Sequence, residues 1–288
     1  MNLSKSVSAA AALLAVFPLT ARAQEQHGES IWESIPWAQG PIVGQLGAEA
    51  QVRVPAGCLF TGVNGMKKFM ELTQNPLEGN ERGVVICEAE TNPWFVIFAF
   101  DPSGYVRDDE GGKLDSDAIL SSIRRGTEAA NRERRKRGWA TLEVEGWTTE
   151  PHYDQKTNNL TWALTGRTSD NERNVNHSVR LLGRGGVMHL DLVSDPEHFA
   201  AVVPKFNALV TGFGYTAGNK YAEWRQGDRV AEYGLTALVA GGAGVALVKS
   251  GLLAKLWKVI VLGIAALVGA IKSLWSRITG RRGEAPQS

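Results

Sequence analysis

Four polar side chains on a predicted β-hairpin have the clearest potential for chemistry in this sequence. Residues 175–193 alternate polar and apolar types on either side of a four-residue glycine-rich turn. That register puts Arg180, His189 and Asp191 on one face, with Arg184 at the turn. Arg180 and Asp191 are then diagonal neighbours, close enough to pair. The face is either a small polar site or a structural ion pair.

An acidic turn is the second candidate. Asp108, Asp109 and Glu110 follow Tyr105 and precede two glycines. Adjacent carboxylates on such a loop could bind a hard cation through their oxygen atoms. The spacing lacks the alternating ligand pattern of a calcium loop, so a solvated turn is the alternative.

The third candidate is a segment that contains a histidine, a tyrosine and an aspartate. His152 and Asp154 could act as a base and its orienting acid, but no nucleophile motif accompanies them. Trp147 and Tyr153 flank a predicted turn, where their rings could stack on a sugar or a peptide; packing against the core is the alternative. Zinc-protease, Walker and dinucleotide motifs are missing from the sequence, so we assign no catalytic residue, metal or cofactor.

The sequence contains two cysteines, Cys58 and Cys87. Two are too few for a four-cysteine zinc site or a disulfide-rich miniprotein. In an oxidising compartment they could form a disulfide, but the sequence does not show whether their Cα atoms come within bonding range.

The candidate residues lie on a mixture of strands and helices. The apolar run 94–100 predicts a central strand, and alternation around Leu142 and Leu160 predicts two half-buried strands. Helices are predicted from Asp115 to before Gly138, over about 197–211 with a kink or restart at Pro204, and over 66–72. The pattern indicates an α+β domain with a largely antiparallel sheet and packed helices.

Both ends of the chain are apolar. Residues 1–23 have the charge, apolar run and small-residue cleavage site of a signal peptide. Residues 233–275 contain two uncharged stretches that predict a membrane anchor of one or two helices, the first starting at an Asp228 N-cap. The remaining parts are an exported domain over 24–232 and a basic tail over 276–288.

Composition limits the class of protein further. The chain has 288 residues, 31 Lys and Arg against 30 Asp and Glu, and a formal net charge of +1. This balance excludes a general nucleic-acid binder that depends on a basic surface. A hydrophobic content of 43% excludes a disordered chain.

Several short strings occur together in an order that is specific even though each string is weak. They are Trp37 with Gly40-Pro41, residues 104–110, Gly146-Trp147 with Pro151 and Tyr153-Asp154, residues 160–163, residues 175–188, and Tyr233-Gly234-Leu235. Together they resemble the uncharacterised bacterial membrane-anchored proteins called domain of unknown function 2167. The resemblance covers about residues 31–249. It implies an exported domain with a C-terminal membrane anchor and brings no activity, cofactor or catalytic residue.

The order of the predicted strands and helices in the second half of the chain resembles a known fold. Strands up to Val193, followed by a helix and a segment rich in phenylalanine, are similar to the Mog1/PsbP-type α/β/α sandwich.

From the two apolar ends and the family resemblance we expect a protein of the bacterial inner membrane whose main domain is periplasmic. We expect a non-catalytic binding or scaffolding module for an envelope protein or a glycan. A metal-assisted envelope hydrolase and a glycan-binding module are the alternatives.

Overall fold

An eight-stranded antiparallel sheet is the centre of the structure, a computed structural model that describes residues 32–73, 77–88, 94–110, 114–136, 138 and 140–240. The strands are β1 (Ala38–Gln39), β2 (Ile42–Leu46), β3 (Ala50–Val54), β4 (Cys58–Gly62), β5 (Glu81–Cys87), β6 (Trp94–Asp101), β7 (Leu142–Asp154), β8 (Asn159–Thr168), β9 (Arg173–Leu182), β10 (Val187–Ser194) and β11 (Phe213–Tyr215). The helices are α1 (Val63–Leu72), α2 (Ser116–Lys136), α3 (Phe199–Thr211) and α4 (Leu235–Val239), with a 3₁₀ turn at Tyr221–Glu223. The sheet-rich α+β prediction is confirmed.

The large sheet has the order β1-β4-β5-β6-β10-β9-β8-β7, so β6 is a central strand as its apolar sequence predicts. β9 and β10 pair with Leu182 opposite Val187 and Arg180 opposite His189. This is the predicted hairpin register. It is strongly specified because a slip by one residue would move every side chain to the other face.

One face of the large sheet is covered by α1, α2 and α4. Phe69 of α1 packs edge-to-face on Phe95 of the sheet, with ring centroids 5.9 Å apart. Ile119 and Ile123 of α2 are buried in the same cluster. Asp115 caps α2 as predicted, because its Oδ1 accepts a hydrogen bond of 2.9 Å from the N–H of Ala118.

The opposite face is covered by α3 and by a small antiparallel sheet with the order β11-β3-β2. Val202, Phe206 and Leu209 of α3 are buried against the large sheet. Pro204 lies inside α3, which continues through it to Thr211; the helix is therefore not restarted at this proline, and the alternative of a kink stays a prediction. The large sheet is therefore enclosed between two layers, and both of its faces are core.

The C-terminal part of the described chain differs from the prediction. The helix α4 starts after Gly234 and not at Asp228, whose carboxylate is engaged by Arg184. Leu235 and Leu238 are buried in the same core cluster as residues of α1 and α2. The folded domain thus continues past the boundary placed at residue 232.

Among the described residues, no helix has the length and apolar character needed to cross a membrane. The signal peptide predicted over 1–23, the second apolar stretch and the basic tail over 276–288 lie outside the described residues.

Side chains of α2 satisfy the outer edge of β7, the last strand of the large sheet. Asn131 donates to the carbonyl of Leu142 (2.7 Å) and accepts from its N–H (2.9 Å). Arg124 donates to the carbonyls of Val144 and Glu145 at 3.2 and 2.6 Å. An unpaired strand edge is a site for aggregation, and here the helix occupies outward backbone groups of residues 142–145, at the start of the strand.

Replacing Asn131 by alanine tests this arrangement. The change leaves both backbone groups of Leu142 without their partner in a buried position, so we expect the free energy of unfolding to fall by about 2 kcal/mol or more. Arg135→Ala is the control on the same helix; its exposed pair with Glu128 is expected to contribute about 0.5 kcal/mol or less. Urea unfolding followed by tryptophan fluorescence measures both. Equal losses in the two variants would contradict the role of Asn131.

Candidate functional site

The polar face of the β9–β10 hairpin is a buried ion-pair network. Arg180 Nη1 lies 2.9 Å from Asp191 Oδ1, and the hydroxyl of Ser178 donates to the same oxygen at 2.7 Å. The Arg180 guanidinium lies 4.8 Å from the centroid of the Trp162 ring. Arg180 and Asp191 are buried, so the predicted pairing is present and has the form of the structural alternative.

Two histidines are buried on opposite faces of the same hairpin. His189 lies on the face of Arg180, and burial, with a smaller contribution from the Arg180 charge, lowers its pKa well below the usual value. His177 packs between Phe199 and Phe206 on the other face, and burial lowers its pKa to about 4. Neither Nε2 atom has a hydrogen-bond partner in the described structure. Both side chains are therefore uncharged core groups at neutral pH.

Arg184 lies apart from this network. It forms a two-point ion pair with Asp228, with distances of 2.7 and 2.8 Å from Nε and Nη2 to the two carboxylate oxygens. The Arg184 side chain lowers the pKa of Asp228 to about 2, helped by a hydrogen bond from the N–H of Arg225. The Arg184–Asp228 pair holds the 225–228 turn against the turn of the β9–β10 hairpin.

The three carboxylates of the acidic turn, residues 108–110, do not lie together around one site. Asp108 accepts a hydrogen bond of 3.0 Å from the hydroxyl of Tyr153, whereas Glu110 accepts one of 2.9 Å from the N–H of Thr236 at the start of α4. Asp109 is exposed. Within the described ranges, no three His, Cys, Asp or Glu side chains are grouped to hold a metal ion. The structure thus places Asp108 and Glu110 on different partners, and a cation site at this turn stays a prediction.

Tyr105 belongs to an aromatic cluster that the sequence did not reveal. Its ring stacks on that of Tyr221 with centroids 4.4 Å apart and an interplanar angle of 16°, and it contacts Trp224 at 5.2 Å. The hydroxyl of Tyr221 donates to the carbonyl of Val106, next to the acidic turn. Pairing of Tyr105 with Val230 brings the two segments together.

Tyr153 connects the acidic turn to the β7–β8 turn. Its hydroxyl donates to Asp108 and accepts a hydrogen bond of 3.1 Å from Nδ2 of Asn158. Burial raises the pKa of Tyr153, and the Asp108 carboxylate raises it further. The phenol is therefore a neutral donor at physiological pH. Asn158 sits at φ 54°, a conformation that asparagine tolerates in turns.

The other residues around β7 are dispersed. β7 is one bulged strand, so Trp147 and Tyr153 do not flank a turn. Trp147 donates from Nε1 to the carbonyl of Ser116 and packs against the core. Asp154 is exposed and accepts hydrogen bonds from Lys156 and Thr157 in its own turn, which lower its pKa.

No base–acid pair forms in this segment. His152 is exposed and its Nδ1 contacts the carbonyl of Glu150, while Asp154 is occupied by its turn. The structure does not bring His152 and Asp154 together, because each side chain is held by its immediate neighbours in sequence.

Cys58 and Cys87 form a disulfide between β4 and β5. They are directly opposite each other in the ladder, with Cα atoms 4.2 Å apart, and both are buried. The bond is part of the core on the α3 side of the sheet.

An open cleft of about 510 Å³ lies beside the aromatic cluster. Its lining combines apolar, aromatic and hydrogen-bonding groups: Thr157, Asn158, Asn159, Leu181, Leu182, Val210, Thr211, Phe213, Gly214, Tyr215, Lys220, Tyr221 and Ala222. Asn158 and Tyr221 belong both to the cleft and to the network around Tyr105 and Tyr153. Lys220 is the one charged residue of this lining.

The sequence contained little signal for this cleft. Tyr221 and Trp224, three residues apart, could be noticed as an aromatic pair, but their partner Tyr105 lies over a hundred positions earlier. Tyr215 follows a glycine in a short strand with no motif. The cleft is produced by packing between elements and not by any local pattern.

Fold and site together define a sheet-rich α+β domain with a ligand-sized cleft. The chain belongs to the family described as protein of unknown function DUF2167, which matches residues 39–272. The resemblance found in the sequence is thus confirmed. No curated protein matches the sequence.

Three solved structures are similar to this chain at low identity. The solution structure of cyanobacterial PsbP (CyanoP) from Synechocystis sp. PCC 6803 is 13% identical with a TM-score of 0.35, covering 62% of this chain and 91% of that one. The Ran-binding protein Mog1p of Saccharomyces cerevisiae is 10% identical with a TM-score of 0.32, covering 65% and 100%. PA94 of Pseudomonas aeruginosa, a protein of unknown function, is 9% identical with a TM-score of 0.24, covering 59% and 92%.

The buried histidines predict a specific loss of stability in acid. The unfolded chain protonates His177 near pH 6.5, whereas the folded chain does so only at about 4. Between these values the unfolded state binds more protons, so the free energy of unfolding falls as pH falls, on the order of 1 kcal/mol per pH unit for this residue.

Two leucine variants separate this effect from the titration of carboxylates. In His177→Leu the decline between pH 6.5 and 4 becomes shallower, because the group that titrates differently in the two states is gone. Gln155→Leu, at an exposed position without a titratable side chain, keeps the decline of the unmodified protein. Urea unfolding at several pH values measures the slopes. Identical slopes in all three proteins would contradict the assignment.

Proposed function

We propose that this protein is a membrane-anchored, extracytoplasmic binding module of the bacterial envelope that holds a ligand in the cleft beside Tyr215 and Tyr221. The cleft is the observation that carries the proposal. Its volume of about 510 Å³ lies in the range of ligand sites, and it combines aromatic walls with a few hydrogen-bonding groups. Binding needs only this combination and no reacting group.

The state of the other polar residues also supports binding over hydrolysis. Asp108, Glu110, Asp191 and Asp228 each accept hydrogen bonds from partners that fix the fold. A catalytic acid or base must instead reach a substrate proton from an accessible position. The accessible hydrogen-bonding groups at the cleft are amides, hydroxyls and Lys220, which suit recognition.

The extracytoplasmic location is supported by the sequence of both ends and by the disulfide. A signal peptide over 1–23 would export the domain, and the apolar region after residue 240 would retain it at the inner membrane. Disulfides such as Cys58–Cys87 persist in oxidising compartments. The proposed partners are accordingly molecules of the envelope, with the membrane contacted through the C-terminal region.

A glycan is the second candidate ligand, favoured by one side chain. Trp224 is 40% exposed, and its ring is supported by Tyr105, which in turn stacks on Tyr221. A rigid exposed indole presents a flat apolar surface on which a sugar ring can stack. Trp147, predicted for this role together with Tyr153, donates to the carbonyl of Ser116 and packs half-buried against the core.

A photo-crosslinking pair tests whether the cleft binds a ligand in the cell. Benzoylphenylalanine at Thr211, an exposed cleft residue, is expected to give a discrete adduct in living cells. The same group at Val43, which is 52% exposed on β2, is expected to give none. Adduct formation is measured by electrophoresis and mass spectrometry. The same adducts at both positions, or none at Thr211, would contradict the proposed cleft function.

Fractionation tests the anchor separately. Full-length protein is expected in the membrane pellet after carbonate extraction, with the domain accessible to protease only once the outer membrane is opened. A variant ending at Ala240 retains α4 and the described core and is expected in the osmotic-shock fluid. Full-length protein dissolved in the cytosol would contradict both export and anchoring.

A further inference from the structure

The strand β11 has one neighbour, β3, and its other edge is free within the described structure. The hydrogen bonds at its two ends fix the direction of each backbone group. Arg53 donates to the carbonyl of Gly212, and Thr216 donates to the carbonyl of Glu49. In an antiparallel ladder the bonded positions alternate, so Gly214 also faces β3. The N–H and C=O groups of Phe213 and Tyr215 therefore point away from β3.

These outward groups belong to residues that line the cleft. Phe213, Gly214 and Tyr215 line it together with Asn158 and with Asn159, the first residue of β8. A Cβ added to Gly214 would meet no atom within 4 Å, so the space over the strand is open. An open strand edge in a groove can pair with an extended peptide, which supplies backbone hydrogen bonds for affinity.

The other residues that line the cleft indicate which side chains a bound peptide should have. Leu181, Leu182 and Val210 offer apolar contacts for side chains that point into the cleft. The lining contains a cation, Lys220, and no acidic residue. Charge complementarity therefore favours a peptide with a carboxylate near that end of the cleft.

We infer that the cleft binds an extended segment of a partner protein, which adds to β11 as a further strand and places an acidic side chain near Lys220. The inference rests on the proposed binding function and names its ligand class. The free edge selects an extended backbone, whereas the stacked ring of Trp224 alone would select a sugar face.

Amide hydrogen exchange tests the strand addition directly. The probes are seven-residue peptides of alternating Thr and Val with a central Glu, Gln or Lys, added to full-length protein in detergent micelles at up to millimolar concentration. Binding of the Glu peptide is expected to slow exchange of the Phe213 and Tyr215 amides by about tenfold or more, because each gains a ladder hydrogen bond. The Gly214 amide, which already faces β3, is expected to keep its rate.

Matched glycine variants locate the site. Gly214→Trp fills open space in the cleft and is expected to weaken the Glu peptide by at least about tenfold, because the indole occupies the groove. Gly146→Trp is the control, since Gly146 is also a strand glycine with no atom within 4 Å of an added Cβ and lies on β7. Lys220→Glu is expected to reverse the preference from the Glu peptide to the Lys peptide.

Three outcomes would overturn the inference. One is peptide binding without protection of Phe213 and Tyr215, and another is equal weakening by the two tryptophan variants. The third is binding of chitotetraose, a glycan probe, with no binding of any peptide. In that last case Thr211 crosslinking would still support a binding cleft, so the two proposals fail separately. Loss of the peptide together with loss of the Thr211 adduct would remove both.

Discussion

The hydroxyl of Tyr215 is the contact on which the arrangement of the cleft depends. It donates to the carbonyl of Leu181 at 2.6 Å and accepts from the N–H of Met188 at 2.8 Å, so it bonds to both strands of the central hairpin. Burial raises the pKa of Tyr215, which keeps the phenol protonated. The small sheet is thereby fixed against the large one. Gly183 makes the approach possible, because a Cβ there would lie 2.7 Å from the tyrosine ring.

The fold could be predicted from the sequence in segments whose polar and apolar residues repeat with a single period. The β9–β10 register followed from side chains that alternate with period two around a glycine turn, since any slip exposes the apolar set. The start of α2 followed from a local cap at Asp115. The start of α4 did not, because Asp228 looks like a cap in sequence but is held by Arg184, a residue 44 positions away.

The candidate site could be predicted only in part, for the same reason. Arg180 and Asp191 pair because strand geometry makes them neighbours. Asp108 bonds to Tyr153 across 45 positions, and no local pattern encodes that contact. Sequence adjacency was misleading for Asp108 and Glu110, which look like one cation site but stabilise two different elements. Asp108, Glu110 and Asp191 form hydrogen bonds or ion pairs that stabilise the fold. The cleft is lined by residues that belong to no sequence motif.

The packing of α4 fixes the place where the described chain leaves the domain. Leu235, Leu238 and Val239 are buried, and Glu110 holds the first turn through the N–H of Thr236. The chain therefore packs against the domain up to the end of α4, and it leaves the domain at a fixed position near residue 240. The position and direction of the cleft relative to this exit point are therefore set by the packing of the domain itself.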